Sequence, residues 1–334
     1  MAADMGTILA GEVSSRTRNL RRWGPRSLQG WTNLDGLFRK ACGAFAVSIV
    51  GLLALVVYQL VHASRLSIER FGVGFAFEKV WDPVTQNLGA ATFIYGTFVS
   101  STIALLIAVP LGIGIAIFLV EMAPRRVSSL VGFLIELLAA IPSIVYGLWG
   151  LFVLAPLVRV WVAPALRNTL GFLPLFSGES NGVGMLTAGL ILAIMVLPFI
   201  AAVSRDVLAA VPQAQREGSL ALGTTKWETI WNVVLPYGRV GIAGAVILAL
   251  GRALGETMAV TMVIGNSPQI MASLFQPGYT MSSVIANEYS EASGPMYLSA
   301  LTELGLLLFI LTFAVNGAAS LLIWRLTRGP GAHA

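Results

Sequence analysis

Six long apolar stretches, each nearly free of charge, constrain this chain more than any other feature. Ala41 to Val61 contains no Asp, Glu, Lys or Arg and follows directly on Arg39 and Lys40. As a helix rising 1.5 Å per residue, a run of about 21 residues reaches about 31 Å, enough to cross a ~30 Å hydrocarbon core. Pro83 to Val120 is also charge-free, and its last ~24 residues are the expected span. Val127 to Val158 is interrupted only by Glu136, and Ser180 to Ser204 by nothing. Val240 to Gly265 carries only Arg252 and Glu256, and Ala292 to Trp324 only Glu303. The pattern predicts an all-α integral membrane protein with six transmembrane helices. Pro110 and Pro142 fall inside predicted spans, where kinks are expected and neighbouring helices must satisfy the freed carbonyls.

Composition excludes the other broad classes. Only 11% of the 334 residues are charged and 56% are hydrophobic, against about 25% charged in a typical soluble domain. A disordered chain would be poor in apolar residues and rich in charge. The first apolar run fits a signal peptide badly, because 40 residues precede it and it exceeds the usual ~7–15, although Val61-His62-Ala63 loosely resembles a cleavage site. The single Cys42 forms no internal disulfide. With His62 and His333 far apart, no metal-ligand spacing exists, so no metal or cofactor is expected.

The net charge of +5 is a topology signal. Arg16, Arg18, Arg21, Arg22, Arg26, Arg39 and Lys40 precede the first span; Arg125 and Arg126, then Arg205, Arg216, Lys226 and Arg239, then Arg325 and Arg328 fall in alternate segments. These fifteen oppose five on the other side, Arg65, Arg70, Lys79, Arg159 and Arg167. The positive-inside rule predicts both termini in the cytoplasm, and nucleic-acid binding is not the expected role. Residues 1–40 read as an Arg-rich cytoplasmic segment, 41–325 as the membrane domain with a cytoplasmic loop at 204–239, and 326–334 as a cytoplasmic tail.

That loop is longer than a connector needs. Pro212 stands where the first turn of a helix tolerates proline, and Gly223 suits the position just past its end. Thr225-Lys226-Trp227-Glu228 reads as a capping box opening a second helix that Pro236 closes. REGSLALGTTKWETIWNVVLP (Arg216–Pro236) resembles the signature loop of ABC-importer permeases, E-A-A, three residues, G, nine residues, I-x-L-P. Glu217 takes the acidic position, Gly223 the glycine, and Val233, Leu235 and Pro236 the closing positions; Gly218, Ser219 and Val233 depart from the pattern. The resemblance implies type I ABC-importer permease architecture and a coupling helix docked on a separate nucleotide-binding subunit, with Glu217 and Gly223 supporting the docking. None of the three lysines (Lys40, Lys79, Lys226) follows a glycine, so no G-x-x-x-x-G-K-[ST] loop exists, and any ATP hydrolysis belongs to a partner.

The most informative stretch is GRALGETMAVTMVIGN (Gly251–Asn266). Arg252 lies 13 residues beyond Arg239, about 20 Å along a helix and deep in the bilayer. A charge there costs about 2.5–3.5 kcal/mol on insertion scales and faces a bundle interior or cavity. Four apart, Arg252 and Glu256 are expected on one face with Ala245, Ala249 and Ala259, the alanines leaving space; Gly251 and Gly255 form a G-x-x-x-G surface beside it. One reading is an intrahelical ion pair that only fixes the bundle. The other is a substrate path for an oxyanion. Arginine's planar fork matches such an anion bidentately, and glutamate accepts a hydrogen bond from a protonated phosphate oxygen, which sulfate lacks at neutral pH.

This stretch, with LLAAIPSIVYGLWG (Leu137–Gly150), resembles the PstC-type permeases of bacterial phosphate ABC importers, from about Asn87 to Trp324. The resemblance implies a non-catalytic inner-membrane subunit that passes phosphate by alternating access. It also implies a second, related permease (PstA type), two copies of an ATP-binding subunit and an extracytoplasmic phosphate-binding protein. Arg252 and Glu256 match positions associated with phosphate passage. Glu303, a few residues into the last span, is a candidate partner of Arg252 in the path, or a polar helix start. Other readings stay open from the residues alone: another oxyanion such as sulfate, or a self-sufficient secondary transporter. Glu136 is expected to make a structural hydrogen bond near the cytoplasmic side, and Glu288 and Glu291 to be solvated in an outer loop. Gly178-Glu179-Ser180-Asn181-Gly182 matches the G-x-S-x-G elbow of serine hydrolases, but a turn opening the fourth span is the expected role without strand or triad histidine.

Overall fold

The computed structural model describes residues 28–327; the leader up to Ser27 and the last seven residues lie outside it. Six helices in it are long and apolar enough to cross a membrane, as the charge-free runs predict. The first, α1 (Leu28–Ala63), contains a candidate span over Gly36–Ala63 that is free of charge after Lys40. Among the described residues, those up to Gln59 form one unit and those from Leu60 a second. Along α1, Phe45, Val47, Ile49, Leu52 and Val56 are all exposed, the all-round apolar surface of a lipid-facing helix.

The second unit opens with α2 (Arg65–Phe71) and a small antiparallel pair, β1 (Trp81–Asp82) and β2 (Asn87–Leu88), in which Trp81 faces Leu88. Then come α3 (Ala91–Met122), α4 (Arg125–Ala139), α5 (Ser143–Leu170), α6 (Met185–Ala209), α7 (Gln213–Ala221), α8 (Lys226–Gly255), α9 (Met258–Val263), α10 (Met281–Glu288) and α11 (Pro295–Arg325). The central helix is α6, two-thirds of whose most apolar window is buried. Lipid provides no hydrophobic drive between helices, so close packing of small residues has to hold them. The most extensive pair, α3 with α6, does this. A Cβ on Gly112 would lie 2.8 Å from Ile200, and one on Gly189 2.5 Å from Ile103. Ala104, Ala108, Ala188 and Ala193 fill the same seam.

Two expectations need correction. Val127–Val158 is not one span: α4 ends at Ala139, and a separate span starts at Ser143. Pro142 (ψ 140°) stands between them in extended conformation, so it separates helices instead of kinking one. The leucines of α4 lie on one exposed face with Phe133 (Leu130, Leu134, Leu137, Leu138), and Arg125 and Arg126 open it. Run length alone could not separate such an amphipathic helix from the span that follows. Glu136 makes the expected structural contact, receiving Arg205 at 2.9 Å. Nor does Pro236 close a helix: α8 runs through it, because a widened π turn over Ile230–Val234 precedes it and absorbs the missing N–H. Pro110 is inside α3 as expected.

The junction of α3 with the segment before α10 gives a stability prediction. A Cβ on Gly96 would meet the Tyr279 carbonyl oxygen at 2.1 Å, whereas one on Gly114 of the same helix meets nothing within 4 Å. Gly96→Ala should destabilise the protein by about 1–3 kcal/mol, seen as a lowered unfolding midpoint in detergent. Gly114→Ala should leave the midpoint level or raise it; equal behaviour of the two variants would contradict this packing.

Candidate substrate path and coupling surface

The candidate path is built on α8. Its Ala245, Ala249 and Ala253 are at most 3% exposed and pack inward. The adjoining side carries Gly244, Leu248, Arg252 and Gly255, with Leu248 and Arg252 exposed and no heavy atom within 4 Å of a Cβ built on Gly244 or Gly255. The expected face is thus corrected: the alanines are packing residues, and the space beside Arg252 is left by glycines. Gly251 does serve close approach, since a Cβ there would lie 3.1 Å from the Asn316 amide nitrogen of α11, while Gly255 does not.

The structure also separates the charged pair. Helix α8 stops at Gly255, and Glu256 is extended (φ −68°, ψ 128°). Thr257 precedes the half-helix α9, and its Oγ1 donates to Gly255 O at 3.2 Å. An i, i+4 pair shares a face only in an unbroken helix; here glycine, the weakest helix former after proline, lets the helix end between the two charges. Glu256 Oε1 instead accepts the Ala259 N–H at 3.3 Å, on the first turn of α9. Glu256 O, freed by the break, accepts the Ser282 hydroxyl of α10 at 2.7 Å. Among the described residues Arg252 makes no ion pair with Glu256 or with Glu303.

Both segments that carry the sequence resemblance meet at this break. α9 packs on the start of α5, where a Cβ on Gly147 would lie 3.1 Å from Ala259 Cα and 2.7 Å from Met262 Sδ. Tyr146, buried beside them, is within electrostatic reach of Arg252 and donates its hydroxyl to Leu138 O at 2.8 Å. The first free N–H groups at α6 are also satisfied from here: Gly184 donates to Val263 O, Met185 to Gln276 O and Leu186 to Leu274 O. Glu303 lies elsewhere, buried beside Ser67 of α2 with Oε2 unpartnered. Nearby, Ser299 accepts the Ser67 N–H at 3.1 Å and donates to Ala63 O.

At the other end, the helix start after Pro212, the glycine turn and the capping box of the loop match the sequence reading. Gly223 takes φ +85° just past α7, its N–H donating to Leu220 O at 3.0 Å. Thr225 and Glu228 form the capping box, with Thr225 N–H donating to Glu228 Oε2 at 2.7 Å and Glu228 N–H to Thr225 Oγ1 at 3.3 Å. Glu217 is exposed on α7, and Leu220, Leu222 and Trp227 add an exposed apolar surface around it. Sequence reasoning missed the strut beneath. Arg216 pairs with Glu121 at 2.9 Å with both largely buried, and it also donates to Leu208 O and Val211 O. The pair ties this loop to the end of α3, and no local pattern connects residues 95 positions apart.

Glu288 is not simply solvated: Trp81 Nε1 at 2.8 Å and the Tyr297 hydroxyl both donate to it, pinning the β pair to α10 and α11. The Gly178–Gly182 stretch is a turn, with φ +88° at both glycines and Ser180 Oγ accepting the Gly182 N–H at 3.1 Å. The element leading into it is a short helical turn over Pro174–Phe176 and not a strand, which argues against the hydrolase reading. Among the described residues no cluster of His, Cys, Asp or Glu could hold a metal.

Comparison with known proteins agrees with this architecture. Residues 108–328 match the family described as binding-protein-dependent transport system inner membrane component. The chain is 48% identical to the phosphate transport system permease protein PstC of Mesorhizobium japonicum, covering 89% of this chain and 92% of the relative. It is 50% identical to the protein of the same name from Pasteurella multocida, over 89% and 94%. Among solved structures, a chain of a bacterial ABC transporter involved in alginate import shares the fold: TM-score 0.59 at 15% identity, covering 90% of this chain and 100% of that one. The chain belongs to the binding-protein-dependent transport system inner membrane components, among relatives that are PstC-type permeases.

Proposed function

We propose that this chain is the phosphate-conducting permease subunit of an ATP-driven importer, acting by alternating access with both termini in the cytoplasm. The observation that carries the reading is Arg252, a cation in the last turn of an apolar span, paired with no carboxylate among the described residues and open on its own side of α8. A planar fork of five N–H donors with no internal anion is suited to an oxyanion in transit. Glu256 supplies discrimination. Its Oε1 accepts one long hydrogen bond from Ala259, leaving acceptor capacity for the proton that phosphate keeps and sulfate lacks. Glu303, buried against α2, is assigned to holding that corner and not to charge pairing with Arg252. On the basic end, Glu217 and the turn at Gly223 would seat an ATP-binding subunit, present in two copies, one on this chain and one on a second permease of PstA type. A phosphate-binding protein would deliver cargo at the opposite end. The chain itself has no phosphate loop and is assigned no catalytic step.

Reconstituted with its partners, Arg252→Gln should lower ATP-dependent phosphate uptake at least tenfold while assembly yield holds, since a charge-assisted bidentate contact is worth about 1.5–3 kcal/mol. Undiminished uptake would end the assignment, as would gradient-driven phosphate accumulation by the purified chain alone in liposomes.

Glu256→Gln adds an amide donor that sulfate can accept. It should make sulfate about tenfold more effective as a competitor of phosphate uptake, roughly one hydrogen bond's 1.4 kcal/mol; unchanged competition would remove the selectivity role.

Reversing charge with Glu217→Arg should reduce the amount of ATP-binding subunit that co-purifies. Full complex yield together with full transport would place the docking elsewhere.

A further inference from the structure

We propose that the far half of α5 and the turn after it form a second site for a phosphate group, at the opposite end of the bundle from the basic loops. Two widened turns interrupt α5, over Gly150–Leu154 and Val158–Val162. In a regular helix the eight steps from Arg159 to Arg167 would leave the two side chains about 80° apart; one extra residue taken up by a π turn brings them to about 20°. Both therefore project from one side. Both line a crevice of about 200 Å³ with Glu179, Ser180 and Asn181. Neither arginine has a hydrogen-bond or ion-pair partner among the described residues.

The turn is built against the helix. A Cβ on Gly182 would come 2.3 Å from Ala155 O and 3.2 Å from Arg159 Cβ, and Gly182 sits at φ +88°. Only glycine allows the backbone this close. The G-x-S-x-G match thus marks a turn that brings a hydroxyl and an amide up to two guanidinium groups. Two forks with neutral donors between them suit a phosphate group. The Glu179 carboxylate leaves the crevice one net positive charge, which favours exchange over tight retention. The site is distinct from Arg252: Arg159 lies 13 residues beyond Tyr146, about 17–20 Å along α5.

The phosphate group has two possible sources, free phosphate or a phospholipid headgroup. Counted from Tyr146 at the level of Arg252, the same ~17–20 Å carries Arg159 toward the far edge of a ~30 Å hydrocarbon core, within snorkelling reach of headgroups, and Val160 and Trp161 beside it are exposed. Only the naming of free phosphate rests on the transport reading above.

The test uses the assembled transporter in detergent on an Arg252→Gln background, which removes the deep site. One arm measures equilibrium binding of radiolabelled inorganic phosphate; the other measures retention of phosphatidylglycerol against diacylglycerol by native mass spectrometry. Arg159→Gln with Arg167→Gln should weaken binding at least tenfold in one arm, and that arm identifies the source. Should the double variant fail to assemble, each single variant should lose at least threefold. No difference from the parent in either arm overturns the proposal, and loss of binding-protein docking with both arms unchanged would mark the arginines as protein contacts instead. Phosphate flux through Arg252 is measured separately, so either reading can fail alone.

Discussion

No water is available in a hydrocarbon core to satisfy a backbone group, so a helix can be interrupted at membrane depth only where the protein supplies the partner. Three of the interruptions here are covered that way. The end of α4 is met by the Tyr146 hydroxyl on Leu138 O, and the break after Gly255 by the Ser282 hydroxyl on Glu256 O. The start of α6 is met by three carbonyls of the stretch from Val263 to Gln276. These covers come from different helices, which makes α5, α6, α9 and α10 interdependent. The break that presents Arg252 and Glu256 separately exists because its neighbours complete it.

Close approach supplies the remaining cohesion. Dispersion between well-fitted small residues is the main attraction left to helices in lipid, and it falls off steeply with distance. Gly96, Gly112, Gly147 and Gly189 each bring a neighbour nearer than a side chain would permit. On α8 the two kinds of small residue divide the labour. Alanines face the core, giving contact without bulk, while Gly244 and Gly255 keep the arginine side unobstructed.

What could be read in the sequence follows the range of each interaction. The six spans were legible because the cost of charge in lipid acts residue by residue, and the capping box at Thr225 and the turn at Gly223 because their partners lie within a few positions. The boundary at Pro142 was not, since past Arg126 the amphipathic helix carries only Glu136 and merges with the charge-free run that follows. The break at Gly255 was misread for a related reason: spacing four places Arg252 and Glu256 together only if the helix continues, and the groups that let it stop, Ser282 and the Ala259 N–H, depend on tertiary position. Arg216 and Glu121 are the extreme case, a buried pair joined across 95 positions with nothing in either local sequence to announce it.

The charge left over at the break defines what the open side of α8 must meet. Insertion scales put an arginine near mid-bilayer at about 2.5–3.5 kcal/mol, and a carboxylate beside it would ordinarily offset part of that. Here Glu256 is turned onto the first turn of α9, where its charge also favours the half-helix N-terminus. The local helix end thus competes with the guanidinium for the carboxylate, and among the described residues no other carboxylate pairs with Arg252. Plain lipid on that side would leave the cost standing. Water, an anion or the polar wall of another subunit would reduce it, because each restores hydrogen bonds to the fork. The glycine-lined side of α8 is therefore the one surface of this helix that a lipid tail suits worst, and the chain's arrangement around it is energetically complete only with an aqueous or protein neighbour there.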